Sequence, residues 1–168
     1  MQIKENSLCF SGHRSEKLPQ SKEKFEKLKL RLRKEIDKAI EMGTDTFYFG
    51  ACYGFDLLCA EIVLIRKRAI DFIDSKQIKL IAVVPFEEQA KNWNKNNREK
   101  YYKTLAECDD VVTLQTRYSQ GCYYARNRFM VDRSSKMICY YDGGVGGTAY
   151  TTKYAKENNL QIINLYEE

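Results

Sequence analysis

With 168 residues, 43% hydrophobic and 30% charged, the chain has enough apolar surface for a buried core and the polarity of an ordinary globular protein, which sets aside fibrous and disordered classes. A net charge of +5 admits an anionic ligand without demanding nucleic acid. No run approaches ~18 apolar residues, and Met1 to Asn6 lacks the apolar core of a leader, so no membrane contact and a cytoplasmic location are expected.

Ser7 to Ser11 is the first short apolar run, broken at Gly12 ahead of His13 and Arg14. Pro19 and Ser21 prepare a helix from Lys22 to Met42, where Phe25, Leu28, Leu32, Ile36, Ala39 and Ile40 recur at helical spacing and Gly43 supplies the stop. Acidic residues are interleaved with its lysines and arginines, Glu23 standing four before Lys27, which favours a solvated face over a nucleic-acid stripe. Thr46 to Phe49 is a second strand, running into Gly50-Ala51-Cys52-Tyr53-Gly54-Phe55-Asp56. Gly50 and Gly54 permit close backbone approach there. Asp56, in the first turn of the next helix, either complements the helix dipole or accepts hydrogen bonds from a ribose.

Leu57 to Asp74 reads as a long helix with Leu58, Ile62, Ile65 and Ala69 in one apolar line. Its Glu61 turns either to the strand ends or, at lower desolvation cost, to water. Ile78 to Val84, the most continuously apolar run, is a central buried strand ended by Pro85-Phe86. The polar stretch from Glu87 to about Cys108 is the least regular. Its Trp93, with Tyr101 and Tyr102, either stacks bases or, as the sparse aromatics favour, anchors a helix–loop–helix crossover.

Asp110 to Gln115 is the next strand and Tyr118-Ser119-Gln120-Gly121 a turn. Cys122 to Asp132 is a helix carrying Arg126, Asn127, Arg128 and Asp132, with Arg126, Met130 and Arg133 on one side. Lys136 to Tyr141 and Gln161 to Leu165 are the last strands, separated by Asp142-Gly143-Gly144-Val145-Gly146-Gly147-Thr148 and a helix from Thr148 to Asn159. The six cysteines (9, 52, 59, 108, 122, 139) show no zinc spacing, so no metal is expected. Cys52 and Cys122 stand near glycines, but His13 is the only imidazole and a Cys–His dyad has no evident third member.

Strand and helix alternate throughout. That argues an α/β fold, a single Rossmann-like, doubly wound, mostly parallel sheet flanked by helices, with right-handed crossovers and residues 1–168 forming one domain. In such a sheet the loops after the strand C-termini share one edge, so those at 11–14, 50–56 and 142–148 converge on one crevice. The last of them is either a ligand-free turn or a phosphate cradle of free backbone N–H groups at a helix dipole, and three such loops favour the cradle. The first-loop spacing is not G-x-G-x-x-G, so the usual dinucleotide fingerprint is absent.

Ser11-Gly12-His13-Arg14, Gly50-Ala51-x-x-Gly54-x-Asp56 followed by Ala60-Glu61, Arg126-Asn127-x-x-Met130-Val131-Asp132, and Tyr141-Asp142-Gly143…Gly146-Gly147-Thr148 together resemble the SLOG superfamily, and within it the YpsA-like branch of small bacterial and phage proteins. The resemblance spans nearly the whole chain. It implies a nucleotide or nucleotide derivative, such as an ADP-ribose, NAD-type or cyclic nucleotide signal, sensed or sequestered beyond the strand ends. Relatives of the DNA-processing protein A type bind single-stranded DNA, and those of the LOG type cleave nucleoside monophosphates at the N-glycosidic bond.

LOG-type enzymes carry Gly-Gly-x-Gly-Thr-x-x-Glu, and here Thr151 stands in place of the glutamate, which removes the simplest scheme for glycosidic cleavage. A binding protein is therefore expected over a nucleotide hydrolase, whose candidate residues are Glu61, Asp56 and Arg126, with Asp142 a further carboxylate. A single-stranded DNA binder is the weakest reading, for want of a contiguous basic and aromatic groove. Ligand contacts are expected from Ser11, Gly12, His13, Arg14, Gly50, Ala51, Tyr53, Gly54, Asp56, Arg126, Asn127, Asp142, Gly143, Gly144, Gly146, Gly147 and Thr148. The N–H groups from Gly144 to Thr148, with Arg14 or Arg126, would hold phosphates; Asp56 would take ribose hydroxyls and Tyr53 or Tyr123 would stack a base. No cofactor beyond a nucleotide-type ligand is expected, and pairing across helices in related folds suggests a homodimer or higher homo-oligomer.

Overall fold

A computed structural model describes residues 4–73 and 77–167. Its strands are β1 (Ser7–Gly12), β2 (Thr46–Phe49), β3 (Lys79–Val84), β4 (Asp110–Thr113), β5 (Lys136–Tyr140) and β6 (Gln161–Asn164). Its α-helices are α1 (Lys22–Glu41), α2 (Phe55–Ile73), α3 (Lys95–Glu107), α4 (Cys122–Asp132) and α5 (Gly147–Glu157). Met1–Ile3 and the expected helix end at Asp74 lie outside the described residues.

The strands form one sheet in the order β4-β3-β2-β1-β5-β6, and every neighbouring pair is parallel. β1, β2, β3 and β5 are apolar almost without break because both of their faces are covered. Alternate side chains serve opposite layers. Leu8, Phe10, Phe47, Phe49 and Leu80 pack with Leu28, Leu32 and Ile36 of α1 and with α2. Cys9, Tyr48, Ile81, Met137 and Cys139 pack with Met130 and Val131 of α4 and Ala155 of α5. The edge strands β4 and β6 are short and partly exposed.

Local signals act as read. Ser21 Oγ accepts the Lys24 N–H at 3.2 Å at the start of α1, and Gly43, at φ +103°, follows its end. Trp93 makes T-shaped contacts with Tyr53 and Tyr101, each 5.2 Å between centroids, and so anchors the connection into α3. The strand expected to reach Gln115 ends at Thr113.

From β1 to β4 the chain steps one way across the sheet, with α1, α2 and α3 on one face. It then crosses to the far side of β1 and continues through β5 and β6 with α4 and α5 on the other face, as right-handed crossovers require. The direction reverses between β1 and β5, so the loops leaving those strands diverge to opposite faces and open a crevice at their C-terminal ends.

Candidate functional site

A crevice of about 590 Å³ occupies this switch point. Of the residues expected at the ligand, Ser11, Gly12, His13, Arg14, Asp56, Arg126, Asn127, Gly146, Gly147 and Thr148 line it. Gly50, Ala51, Tyr53, Gly54, Asp142, Gly143 and Gly144 do not line it.

The glycines divide into two kinds. A Cβ on Gly12 would lie 2.3 Å from the Phe55 ring, one on Gly50 2.7 Å from Arg126 Nη1, and one on Gly54 2.6 Å from the Ser15 backbone nitrogen. At these three positions another part of the chain, the Phe55 side chain, the Arg126 guanidinium or the Arg14–Ser15 backbone, presses on the Cβ side. Neither Gly50 nor Gly54 lines the crevice, and Gly54 borders a different groove. Around Gly143, Gly146 and Gly147 a Cβ would meet nothing within 4 Å. Gly146 takes φ +135°, a backbone shape that side chains rarely adopt.

The loop after β5 is partly occupied by its own side chains. Asp142 Oδ1 accepts the Gly144 N–H at 2.9 Å and lies 3.0 Å from His13 Nε2. The Gly144 N–H, followed by the His13 contact, holds the Asp142 carboxyl below its usual range. The expected cradle therefore loses its first donor. The first helical bond of α5 runs from the Tyr150 N–H to the Gly146 carbonyl at 3.1 Å, so Gly147 and Thr148, which line the crevice, precede it and have no helical acceptor for their N–H groups. His13, buried, ties the two sides of the switch together: its carbonyl accepts the Phe55 N–H at 3.1 Å, and its Nδ1 lies 3.5 Å from Thr148 Oγ1.

Two charged side chains are buried in the wall. Arg126, 7% exposed, donates from Nε to Asn127 Oδ1 at 2.7 Å and from Nη1 to the Gly50 carbonyl, and its guanidinium lies 5.6 Å from the Tyr123 ring centroid. It thereby crosslinks α4 to the loop after β2. Asp56, 6% exposed, accepts the Cys52 N–H at 3.3 Å. Burial pushes its carboxyl up to about 6, against the opposing pull of Arg126, the Cys52 N–H and Arg14. Burial and Asp56 together also raise the Cys52 thiol, so it is no thiolate nucleophile at neutral pH despite Arg14 beside it.

Several expected residues are placed elsewhere. Tyr53 packs on Trp93, carries the Arg14 guanidinium 5.4 Å from its ring centroid and donates its hydroxyl to Glu16, so Tyr123 is left as the expected base-stacking ring at the crevice. Glu61 is exposed in a separate groove between α1, α2 and α3 and does not line the crevice. Arg133 does not join Arg126: α4 ends at Asp132, and Arg133 turns onto the Phe129 ring, 3.5 Å from its centroid. Tyr118 and Tyr124, not expected at the ligand, also line the crevice. Their signal was Tyr118 in a turn after a strand and Tyr124 in the first turn of a helix, positions at the same sheet edge.

The model of the YspA SLOG family (YpsA) matches residues 8–166. The chain belongs to this family. It is 27% identical over 141 residues to a UPF0398 protein of Bacillus thuringiensis (strain Al Hakam), covering 83% of this chain and 74% of that protein. A UPF0398 protein of Bacillus cereus (strain G9842) matches at 27% over 133 residues, covering 77% and 70%. The SLOG fold seen here is also that of DNA processing protein A from Helicobacter pylori, a protein with a single-stranded DNA binding mode, at TM-score 0.64 and 14% identity over 96% of this chain and 66% of that one. DNA processing protein A from Streptococcus pneumoniae aligns at TM-score 0.61 and 16% identity over 92% and 49%. Among the described residues no helix is long and apolar enough to cross a membrane.

Proposed function

We propose that this SLOG-family chain binds a nucleotide or nucleotide derivative in the crevice between the β1 and β5 loops. The observation that carries the reading is the meeting, in one cavity, of the open start of α5 at Gly146 to Thr148 with Arg14 and the buried pair Arg126 and Asp56. Main-chain N–H groups at a helix start and a nearby guanidinium suit a phosphate. Asp56 suits a sugar hydroxyl, and the Tyr123 ring suits a base. Calorimetric titration with AMP, ADP-ribose, NAD and cyclic ADP-ribose isomers tests this, and silence across all of them defeats it. Chromatography of the same mixtures separates binding from hydrolysis: free base or ribose phosphate would make the chain an N-glycosidase with Asp56 as its acid or base.

A second reading, single-stranded DNA, is favoured by the fold shared with the Helicobacter pylori protein and by exposed Tyr118 and Tyr124 at the crevice. It requires oligothymidylate binding that weakens steeply with salt. A homo-oligomer is part of the proposal and is read by sedimentation.

A further inference from the structure

Resting on the nucleotide reading, we infer that the ligand is of the dinucleotide class, with an aromatic ring at each end of its phosphates. Tyr123 and Tyr124 are consecutive on α4 and so project about 100° apart. Tyr123 joins Phe86 and Tyr118, at 6.1 and 6.3 Å between centroids, in a group built from the segments that follow β3 and β4. Tyr124 turns the other way, onto Tyr150 of α5 at 4.4 Å. Arg128 Nη1 donates to the Tyr150 hydroxyl at 2.7 Å, so this second wall is held in place before any ligand arrives.

The strand order sets what lies between the two walls. β3 and β4 are on one side of β1, and β5, which leads into α5, is on the other. Arg14, which follows β1, and the start of α5 at Gly147 therefore fall in the middle of the crevice, where the anion is placed. Tyr118 is 63% exposed and Tyr124 42% exposed, and both line this one cavity. Neither ring is needed to close the core, since both core clusters are complete without them. A ligand with one base would engage one wall only. A ligand with two rings flanking its phosphates would cover both.

The test is calorimetric titration of the full chain with ADP-ribose, which has one base, and with NAD and diadenosine diphosphate, which have two rings. It is repeated on Tyr118→Ala, Tyr124→Ala and the corresponding Phe variants. Stacking on an aromatic side chain supports an expected loss of about 5- to 140-fold per ring on replacement by alanine. Both two-ring probes should bind at least about 10-fold tighter than ADP-ribose, each alanine variant should weaken them, and ADP-ribose should respond to only one of the two. The Phe variants should bind as the parent does, and because both rings are exposed the thermal midpoints should stay put. Equal affinity for ADP-ribose and NAD, or two-ring probes indifferent to both alanine variants, overturns the inference and leaves the nucleotide reading intact. No binding of any probe overturns both.

Discussion

Replacing Asp56 with asparagine isolates the energetics of the crevice floor. The carboxyl is displaced from 3.8 to about 6, chiefly by burial, and at about 1.4 kcal/mol per tenfold change the charged form is disfavoured in the folded protein by about 3 kcal/mol. Between about pH 4 and 6 the folded chain holds a proton that the unfolded chain has released, so this group's contribution to stability falls as pH rises through that window and is level above it. Asparagine keeps the shape and can still accept the Cys52 N–H, but it never ionises. Urea unfolding of Asp56→Asn and the parent from pH 4 to 8 should therefore show little difference at pH 4 and a gain for the variant that grows to at most about 3 kcal/mol by pH 7. Nucleotide affinity should fall in the same variant. A stability difference that is independent of pH, or that shrinks as pH rises, refutes the account of Asp56 as a charge kept at a cost.

Arg126→Met removes the donor to Asn127 and Gly50 and the cation beside Asp56; a loss of about 3–5 kcal/mol in unfolding free energy and a further rise of the Asp56 carboxyl, read by NMR titration, are expected. Gly12→Ala forces a methyl into the Phe55 ring and should cost about 1–3 kcal/mol, whereas Gly147→Ala, with open space around it, should stay within about 1 kcal/mol of the parent in the same denaturation assay. Cys52 should react slowly with iodoacetamide at pH 7 and faster in Asp56→Asn, since the neighbouring carboxylate helps to raise its thiol.

Periodicity carries the fold because burial imposes it. The near-continuous apolar runs at Leu8, Phe47 and Leu80 are those of strands covered on both faces, and alternation of strand and helix leaves few ways to order a parallel sheet. The meeting of the loops at 11–14, 50–56 and 142–148 follows from the same rule. Which side chains face the cavity does not. A missing Cβ serves an open cradle and a tight contact alike, so Gly54 against Ser15 and Gly146 in open space look the same in sequence. Tyr53 and Tyr123 are equally plausible stacking rings until Trp93, supplied from 40 residues further along the chain than Tyr53, packs against one of them. Helical spacing puts Arg133 beside Arg126, but α4 stops at Asp132 and Arg133 turns onto Phe129.

Two costly features among the described residues stand beside the crevice. Asp56 is a buried carboxylate whose desolvation Arg126, the Cys52 N–H and Arg14 only partly offset. Ala51, a buried non-glycine residue at φ +59°, is held in the left-handed region with its carbonyl accepting from Gln89 Nε2 at 3.2 Å, a backbone state that costs about 1–2 kcal/mol. Beside them Gly143 and Gly146 take positive φ, which glycine does without strain, in a loop with open space at their Cβ positions. A fold selected for stability alone would replace Asp56 and Ala51 cheaply, since asparagine fits at 56 and glycine relaxes 51. Their convergence on the ends of β2 and β5, beside the point where the strand order reverses, supports the proposed ligand crevice, which would need a rigid wall, a charge available to a hydroxyl and amides open to an anion. The reasoning stands or falls on a coupled measurement. If the substitutions Ala51→Gly and Asp56→Asn both raise stability and neither changes the affinity for any nucleotide, the costs have another origin and the crevice is not the reason they persist.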